Sequence, residues 1–125
     1  MLCDETGMAR DHRRLHVFQL ADQLAVRVYA TTSGLPSNER YGLQSQIRRA
    51  AVSVSTNIVE GCARTSEGDL LRFIDIAFGS CREVIYLAGL AKRLNMLDAP
   101  SADELDHLGA RVAAGLAALR RSFRP

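Results

Sequence analysis

The chain has 125 residues, of which 47% are hydrophobic, and its net charge is only +2. This length suits a single domain that buries its core without disulfides or metals, and the composition excludes a disordered or fibrous chain. The small net charge does not by itself indicate a polyanionic partner, but the basic residues are fifteen arginines and one lysine. Arginine favours forked contacts with carboxylate or phosphate, although a bias in genomic base composition explains the same ratio.

The cysteines and the apolar runs bear on location. Cys3, Cys62 and Cys81 form an odd set without paired spacing, which argues against a disulfide framework and favours a reducing compartment. The first residues carry acids and no apolar stretch, and the longest apolar run, residues 84–91, is too short to span a bilayer. We therefore expect a cytoplasmic protein with no signal peptide and no membrane contact.

Apolar residues recur at helical spacing in four stretches, which predicts an all-α protein. We expect residues 1–15 to form a flexible N-terminal tail and residues 16–125 to form the folded domain. The first helix is predicted over residues 16–32, where Gly34 and then Pro36 prevent its continuation.

The second helix is predicted to begin after an N-cap at Ser37 and to run to about residue 60. Glu39 then lies in its first turn, and Gly61 is its stop. A strand is the alternative for residues 52–58, where β-branched residues alternate with others. The helical period passes through this segment unbroken, and a lone strand would have no partner, so we favour the helix.

The third and fourth helices have N-terminal signals. Ser66 precedes a long helix predicted over residues 67–95, and a capping box of Ser101 and Glu104 begins the last one, predicted over residues 101–123. Four amphipathic helices with short connections predict an antiparallel up-down-up-down four-helix bundle.

The third helix is apolar around most of its circumference. Its apolar residues form three stripes: Ile74, Ala77, Cys81, Val84, Ala88 and Ala91; Leu71, Phe78 and Ile85; and Phe73, Ile76, Leu87, Leu90 and Leu94. One helix of a four-helix bundle meets only two or three neighbours, so we expect another copy of the chain to cover part of this surface. Gly79 and Gly89, which weaken a helix by about 1 kcal/mol each, are consistent with close packing at those points.

A line of polar residues follows the second helix and continues on the third. Its members, which we call the polar stripe, are Gln46, Arg49, Ser53, Asn57, Glu60, Ser80 and Glu83. Antiparallel pairing sets Gln46 level with Glu83 and brings Glu83 within reach of Arg49. We expect a buried or interfacial hydrogen-bond network that determines helix register and subunit geometry. The alternative is that Arg48, Arg49 and Asn57 contact a ligand.

Basic residues concentrate at one end of the predicted bundle. They are the residues that we call the arginine pole: Arg10, Arg13, Arg14, Arg64, Arg72, Arg120, Arg121 and Arg124. With five acids nearby, this end has a charge of about +3, against about −2 at the opposite end. It is a candidate surface for RNA or DNA phosphate, whereas the alternative is that the charges only solvate the helix ends. Without an aromatic ladder, such binding should ignore sequence and depend on salt.

The sequence shows no catalytic constellation. His12, His16 and His107 lack a partner at metal-ligand spacing, and there is no glycine-rich phosphate loop. Cys81 falls in the core stripe, whereas Cys62, close to a turn, is the more reactive candidate. We predict no enzyme, no metal and no cofactor. A small-molecule or enzymatic site between subunits would need a deep pocket with perturbed titratable groups.

The motifs of the second and third helices resemble those of a known family. They read Glu39-x-Tyr-Gly-Leu43, Gln46-Ile-Arg-Arg-Ala50, Ser53, Asn57-Ile58, Glu60-Gly61, Ile76-Ala77-x-Gly79-Ser80 and Glu83. Over residues 17–123 the chain is similar to the small four-helix-bundle proteins (S23-type) encoded by intervening sequences of bacterial 23S rRNA genes. Ser55 departs from the usual proline or small residue, with no consequence for the fold.

The resemblance implies an antiparallel four-helix bundle that assembles as a homopentameric ring. It also implies no established enzymatic activity, and nucleic acid as a partner class. The accessory proteins of diversity-generating retroelements look similar in fold and assembly, and those work alongside a reverse transcriptase and RNA. We therefore expect a self-associating protein that binds RNA or DNA phosphate or serves as a scaffold. The alternative is a purely structural or protein-binding oligomer.

Overall fold

The structure, a computed structural model, describes residues 11–123. These residues form four α-helices and no strand: α1 (His16–Thr32), α2 (Leu43–Cys62), α3 (Glu67–Arg93) and α4 (Ala99–Arg121). Short 3-10 helices, His12–Arg14 and Ser37–Glu39, precede α1 and α2. The predicted all-α class is confirmed, and residues 52–58 are helical. Residues 1–10, most of the predicted tail, lie outside the described part of the chain.

The four helices surround one apolar core. α1 contacts α2 and α4, and α3 also contacts α2 and α4. Within residues 11–123, α1 and α3 do not contact each other, so they lie on opposite sides of the bundle. The largest side chains that are completely buried come from every helix and include Leu24, Ile47, Ile58, Leu70, Ile74, Leu105 and Leu116. The full set of buried residues recurs mostly every three or four positions within each helix, which packs one face of every helix inward.

The ends of α3 have specific hydrogen bonds. The Ser66 hydroxyl accepts a bond from the N–H of Asp69 at 3.0 Å, which is the predicted N-terminal cap. At the other end, Asn95 has a φ of 58°, and the N–H of Met96 donates to the carbonyl of Ala91 at 2.9 Å. A left-handed residue followed by this bond is a common way to end a helix.

The prediction that Ser37 caps the second helix is wrong. Ser37 begins a separate 3-10 helix, and α2 begins at Leu43. The Glu39 carboxylate Oε1 accepts a hydrogen bond from the N–H of Leu43 at 2.9 Å. This glutamate therefore satisfies one of the free amides at the start of α2 from outside the helix.

The predicted start of the fourth helix is also wrong. The helix begins directly after Asp98, whose Oδ1 accepts a bond from the N–H of Ser101 at 2.8 Å. Hydrogen bonds from Ser101 hold the pKa of the Asp98 carboxyl below its usual value. Pro100 lies in the first turn, where backbone N–H groups have no acceptor within the helix, so the lack of an N–H in proline costs no hydrogen bond. Glu104 is not part of a capping box, because its Oε1 accepts a bond from Arg27 of α1 at 2.6 Å.

Gly61 does not end α2 as the sequence predicts, because the helix continues to Cys62 and Gly61 is buried. A Cβ at Gly61 would lie 3.0 Å from the Cβ of Phe73 and 3.2 Å from the Cδ1 of Leu70. Both residues belong to α3. The position therefore favours glycine, because α2 and α3 approach each other closely here.

We expect Gly61→Ala to lower the free energy of unfolding by about 1–3 kcal/mol, because overpacking outweighs the gain in helix propensity. Gly68→Ala is the matched control, since a Cβ there meets no described atom within 4 Å. The control should be neutral or stabilising by up to about 1 kcal/mol. Urea unfolding followed by circular dichroism measures both variants, and equal stabilities would contradict the close contact at Gly61.

The two cysteines in the described residues, Cys62 and Cys81, are fully buried. The prediction that Cys62 is a reactive thiol near a turn is therefore wrong, since the last turn of α2 places it in the core. The Sγ of Cys81 donates to the carbonyl of Gly109 at 3.2 Å. Burial raises the pKa of the Cys81 thiol to about 11.

In a Cys3→Ser variant, neither remaining cysteine should react with Ellman's reagent at pH 8 while the protein is folded. The reagent requires a thiolate, and a thiol with a pKa of about 11 stays protonated three pH units below that value. Cys62 is protected by its burial. Both thiols should react in guanidinium chloride. Release of one equivalent of thionitrobenzoate within seconds from the folded variant would show that one of the two thiols is accessible to the reagent.

Candidate functional site

The polar stripe forms two hydrogen-bonded groups between α2 and α3. Gln46 Nε2 donates to Glu83 Oε2 at 3.3 Å. Farther along α2, the hydroxyls of Ser53 and Ser80 lie 2.8 Å apart, and Asn57 Nδ2 donates to the Ser53 hydroxyl at 3.0 Å. All five side chains are exposed or half-buried. Within one subunit, the polar stripe is therefore a surface feature between two helices rather than a buried network.

The two other members of the polar stripe are not part of these groups. Glu60 pairs with Arg64, one turn along the chain, at 3.9 Å. Arg49 is exposed and makes no hydrogen bond or ion pair with another described residue. Glu83, in turn, has only the neutral Gln46 as a hydrogen-bond partner within residues 11–123. One cation and one anion on this surface thus have no opposite charge bound to them in the described chain.

An apolar line runs along the outer side of α3 beside these polar groups. Ile76, Tyr86 and Leu94 are 46%, 59% and 51% exposed. The spacing of Ile76 and Tyr86 with Gly79 and Glu83 places these four on one side of α3, and Leu94 follows directly after the helix. Among the described residues, no atom lies within 4 Å of a Cβ built on Gly79. The uncovered apolar flank that the sequence predicts for an isolated subunit is therefore present. We call this line, together with the polar stripe, the outer α2–α3 face.

Ion pairs neutralise much of the arginine pole. Four of its members are paired: Arg13 with Asp11 at 2.9 Å, Arg64 with Glu60 at 3.9 Å, Arg72 with Asp69 at 3.6 Å, and Arg120 with Asp75 at 2.9 Å. Arg14 and Arg121 are exposed and have no ion pair with a described residue. Arg10 and Arg124 lie outside the described residues. Exposed pairs of this kind are weak, but they still reduce the positive potential of the surface.

The described residues contain no group of three or more His, Cys, Asp or Glu side chains that could hold a metal ion. His12 packs edge-on against the ring of Phe18, with 4.8 Å between the ring centroids. None of the described helices has the length and hydropathy needed to cross a membrane. The arrangement offers surfaces for binding, through apolar area, hydrogen bonds and charge.

The comparisons with known proteins agree with this architecture. The chain is similar to a solved protein of unknown function from the S23 ribosomal protein family of Bacteroides thetaiotaomicron VPI-5482. The two share 22% sequence identity and a TM-score of 0.77, over 83% of this chain and 97% of the other, a likeness that supports the fold. A comparison with curated proteins gives no match. The family model described as 23S rRNA-intervening sequence protein matches residues 13–118, from before α1 into α4, and the chain therefore belongs to that family.

Proposed function

We propose that this protein is a non-enzymatic, cytoplasmic scaffold that assembles with itself through the outer α2–α3 face. The observation that carries the proposal is the exposed apolar line of Ile76, Tyr86 and Leu94. Exposed apolar side chains on one face are typical of an interaction site, and their removal from water contributes roughly 25 cal/mol per Å². The homopentameric ring is the assembly that the family resemblance implies.

The polar groups on the same face suit a second copy of the chain. Arg49 and Glu83 each lack an opposite charge among the described residues. In a closed ring, this face meets a different surface of the neighbouring copy, where both charges can meet opposite charges. Gly79 leaves room for a helix to approach closely, which accounts for a helix-weakening residue with no described neighbour.

The proposal includes the antiparallel up-down-up-down order of the helices. It is supported by the contacts between α2 and α3. Gln46, near the start of α2, bonds Glu83, whereas Gly61, near its end, lies against Phe73. Residue numbers therefore rise along one helix as they fall along the other.

We expect Ile76→Glu to shift the assembly to monomers, because the substitution places a charge in the apolar line. Val26→Glu is the matched control, since Val26 is 62% exposed on α1, across the bundle from α3. Sedimentation equilibrium at micromolar concentration measures the mass of the parent and of both variants, and circular dichroism checks their folding. A monomeric parent, or equal dissociation of the two variants, would refute association through this face.

A second proposed role is sequence-indifferent binding of RNA or DNA phosphate by the arginine pole. Arg14 and Arg121 support it, because they are exposed and carry no ion pair within residues 11–123. Guanidinium groups form forked contacts with phosphate, and a ring would repeat them in every subunit. The alternative role is a purely structural or protein-binding oligomer, which needs no nucleic acid.

An Arg14→Glu/Arg121→Glu variant should bind mixed-sequence RNA and DNA more weakly than the parent, and the parent's affinity should fall steeply with salt. Arg82→Glu/Arg111→Glu is the control, with the same change in charge at two exposed positions outside the arginine pole. Fluorescence anisotropy with labelled oligonucleotides measures the affinities between low and moderate salt. An affinity that does not change with salt would exclude phosphate binding and favour the structural alternative.

A further inference from the structure

A polar cleft of about 540 Å³ opens where α1 ends and α2 begins. We call it the α1–α2 cleft. Its walls include three arginines, Arg40, Arg48 and Arg49, and no acidic side chain of the described residues lines it. The volume lies in the range of small-molecule sites. Two other grooves, beside Asp75 and Arg120 and beside Glu104 and Arg27, contain acids as well as bases, whereas the lining of this cleft favours an anion.

Arg48 is held in position by neutral partners. Its Nε donates to the hydroxyl of Thr32 at 2.9 Å, and its Nη2 donates to the carbonyl of Tyr29 at 3.2 Å. The guanidinium lies over the Tyr29 ring, 4.5 Å from its centroid. Thr32 is fully buried, and its hydroxyl donates to the carbonyl of Val28 at 2.6 Å. The guanidinium is therefore held in one orientation by neutral groups, and no carboxylate neutralises its charge. Because the side chain is already ordered, binding an anion costs less entropy.

Two further lining residues, Arg40 and Tyr41, are exposed. Arg40 makes no ion pair with a described residue, and Ser45 adds a hydroxyl to the wall. Tyr41, just before α2, is 90% exposed and borders the cleft. Glu39 is nearby in sequence, but its carboxylate accepts the first amide of α2 and does not line the cleft. Arg49 lies both here and in the polar stripe, whereas Arg40 and Arg48 belong to the cleft alone.

We propose that the α1–α2 cleft binds a nucleoside phosphate. Arg40 and Arg48 bind the phosphate through charge-assisted hydrogen bonds. Tyr41 stacks on the base. Stacking does not discriminate between bases, because each base has a π-face. The ligand is a free nucleotide or the terminal nucleotide of a single strand, which share this chemistry. The inference goes beyond self-association and uses no residue of the arginine pole.

The charge pattern of the sequence concealed this site. The helix ends on this side of the bundle have a charge of about −2 by residue count, which predicts no anion site. The acids at that end are turned elsewhere: Glu104 accepts a bond from Arg27, and Asp103 one from Lys92. Arg40 and Arg48 line the same cleft because the connection between α1 and α2, which carries Arg40, folds beside Arg48.

Isothermal titration calorimetry of the full chain at low salt tests the proposal with AMP, adenosine and inorganic phosphate. AMP should bind at least tenfold more tightly than either fragment, because only AMP uses both the arginines and the ring. Tyr41→Ala should weaken AMP binding by about tenfold or more, whereas Tyr41→Phe should retain it. Arg40→Ala should weaken it similarly. Arg82→Ala, an exposed arginine outside the cleft, should have no effect.

Two further arms distinguish the sources and separate this inference from self-association. A 5′-phosphorylated tetranucleotide that binds more tightly than AMP identifies a strand end as the ligand, and the reverse order identifies a free nucleotide. The Ile76→Glu variant keeps the cleft and should bind AMP like the parent, whatever its state of assembly. Equal affinity for AMP and phosphate, no AMP binding at millimolar concentration, or an unchanged Tyr41→Ala variant would overturn the proposal.

Discussion

Close packing of the helices around one apolar core is the constraint on which the rest of the structure depends. Glycines mark the tightest points of three seams: Gly61 against Phe73 between α2 and α3, Gly109 against Ile85 between α3 and α4, and Gly115 against Val17 between α1 and α4. The fourth seam, between α1 and α2, is joined at its end by the hydrogen bond from Arg48 to Thr32. Because this end is held by polar groups rather than by close apolar packing, it leaves room for a cleft.

The core contains almost no polar groups, so the charges are confined to the surface, where their arrangement differs from place to place. At the arginine pole, carboxylates pair with most of the described arginines. In the α1–α2 cleft, Arg48 has only neutral partners. The thiol of Cys81, whose pKa burial raises to about 11, is enclosed in the core and does not face a cleft.

The proposed self-association and the proposed nucleotide site would reinforce each other. Assembly through the outer α2–α3 face repeats the α1–α2 cleft once in each subunit. A ligand that reaches several clefts gains apparent affinity from the high effective concentration of the second and later sites. A single small ligand, which reaches one cleft only, gains nothing from assembly. Such an assembly would combine the scaffold role with recognition of phosphorylated nucleosides.

The amino-acid order by itself determined the four helices, the limits of α1 and the inward-facing residues, because a helical apolar period is a local property of the chain. It did not determine the starts of α2 and α4, where Glu39 and Asp98 reach the free amides in preference to Ser37 and Ser101. Only the tertiary structure decided which arginines are neutralised and which remain available, as at Arg48. The ion pairs of Arg27 with Glu104, Lys92 with Asp103 and Arg120 with Asp75 join different helices, and no spacing within one helix encodes those contacts.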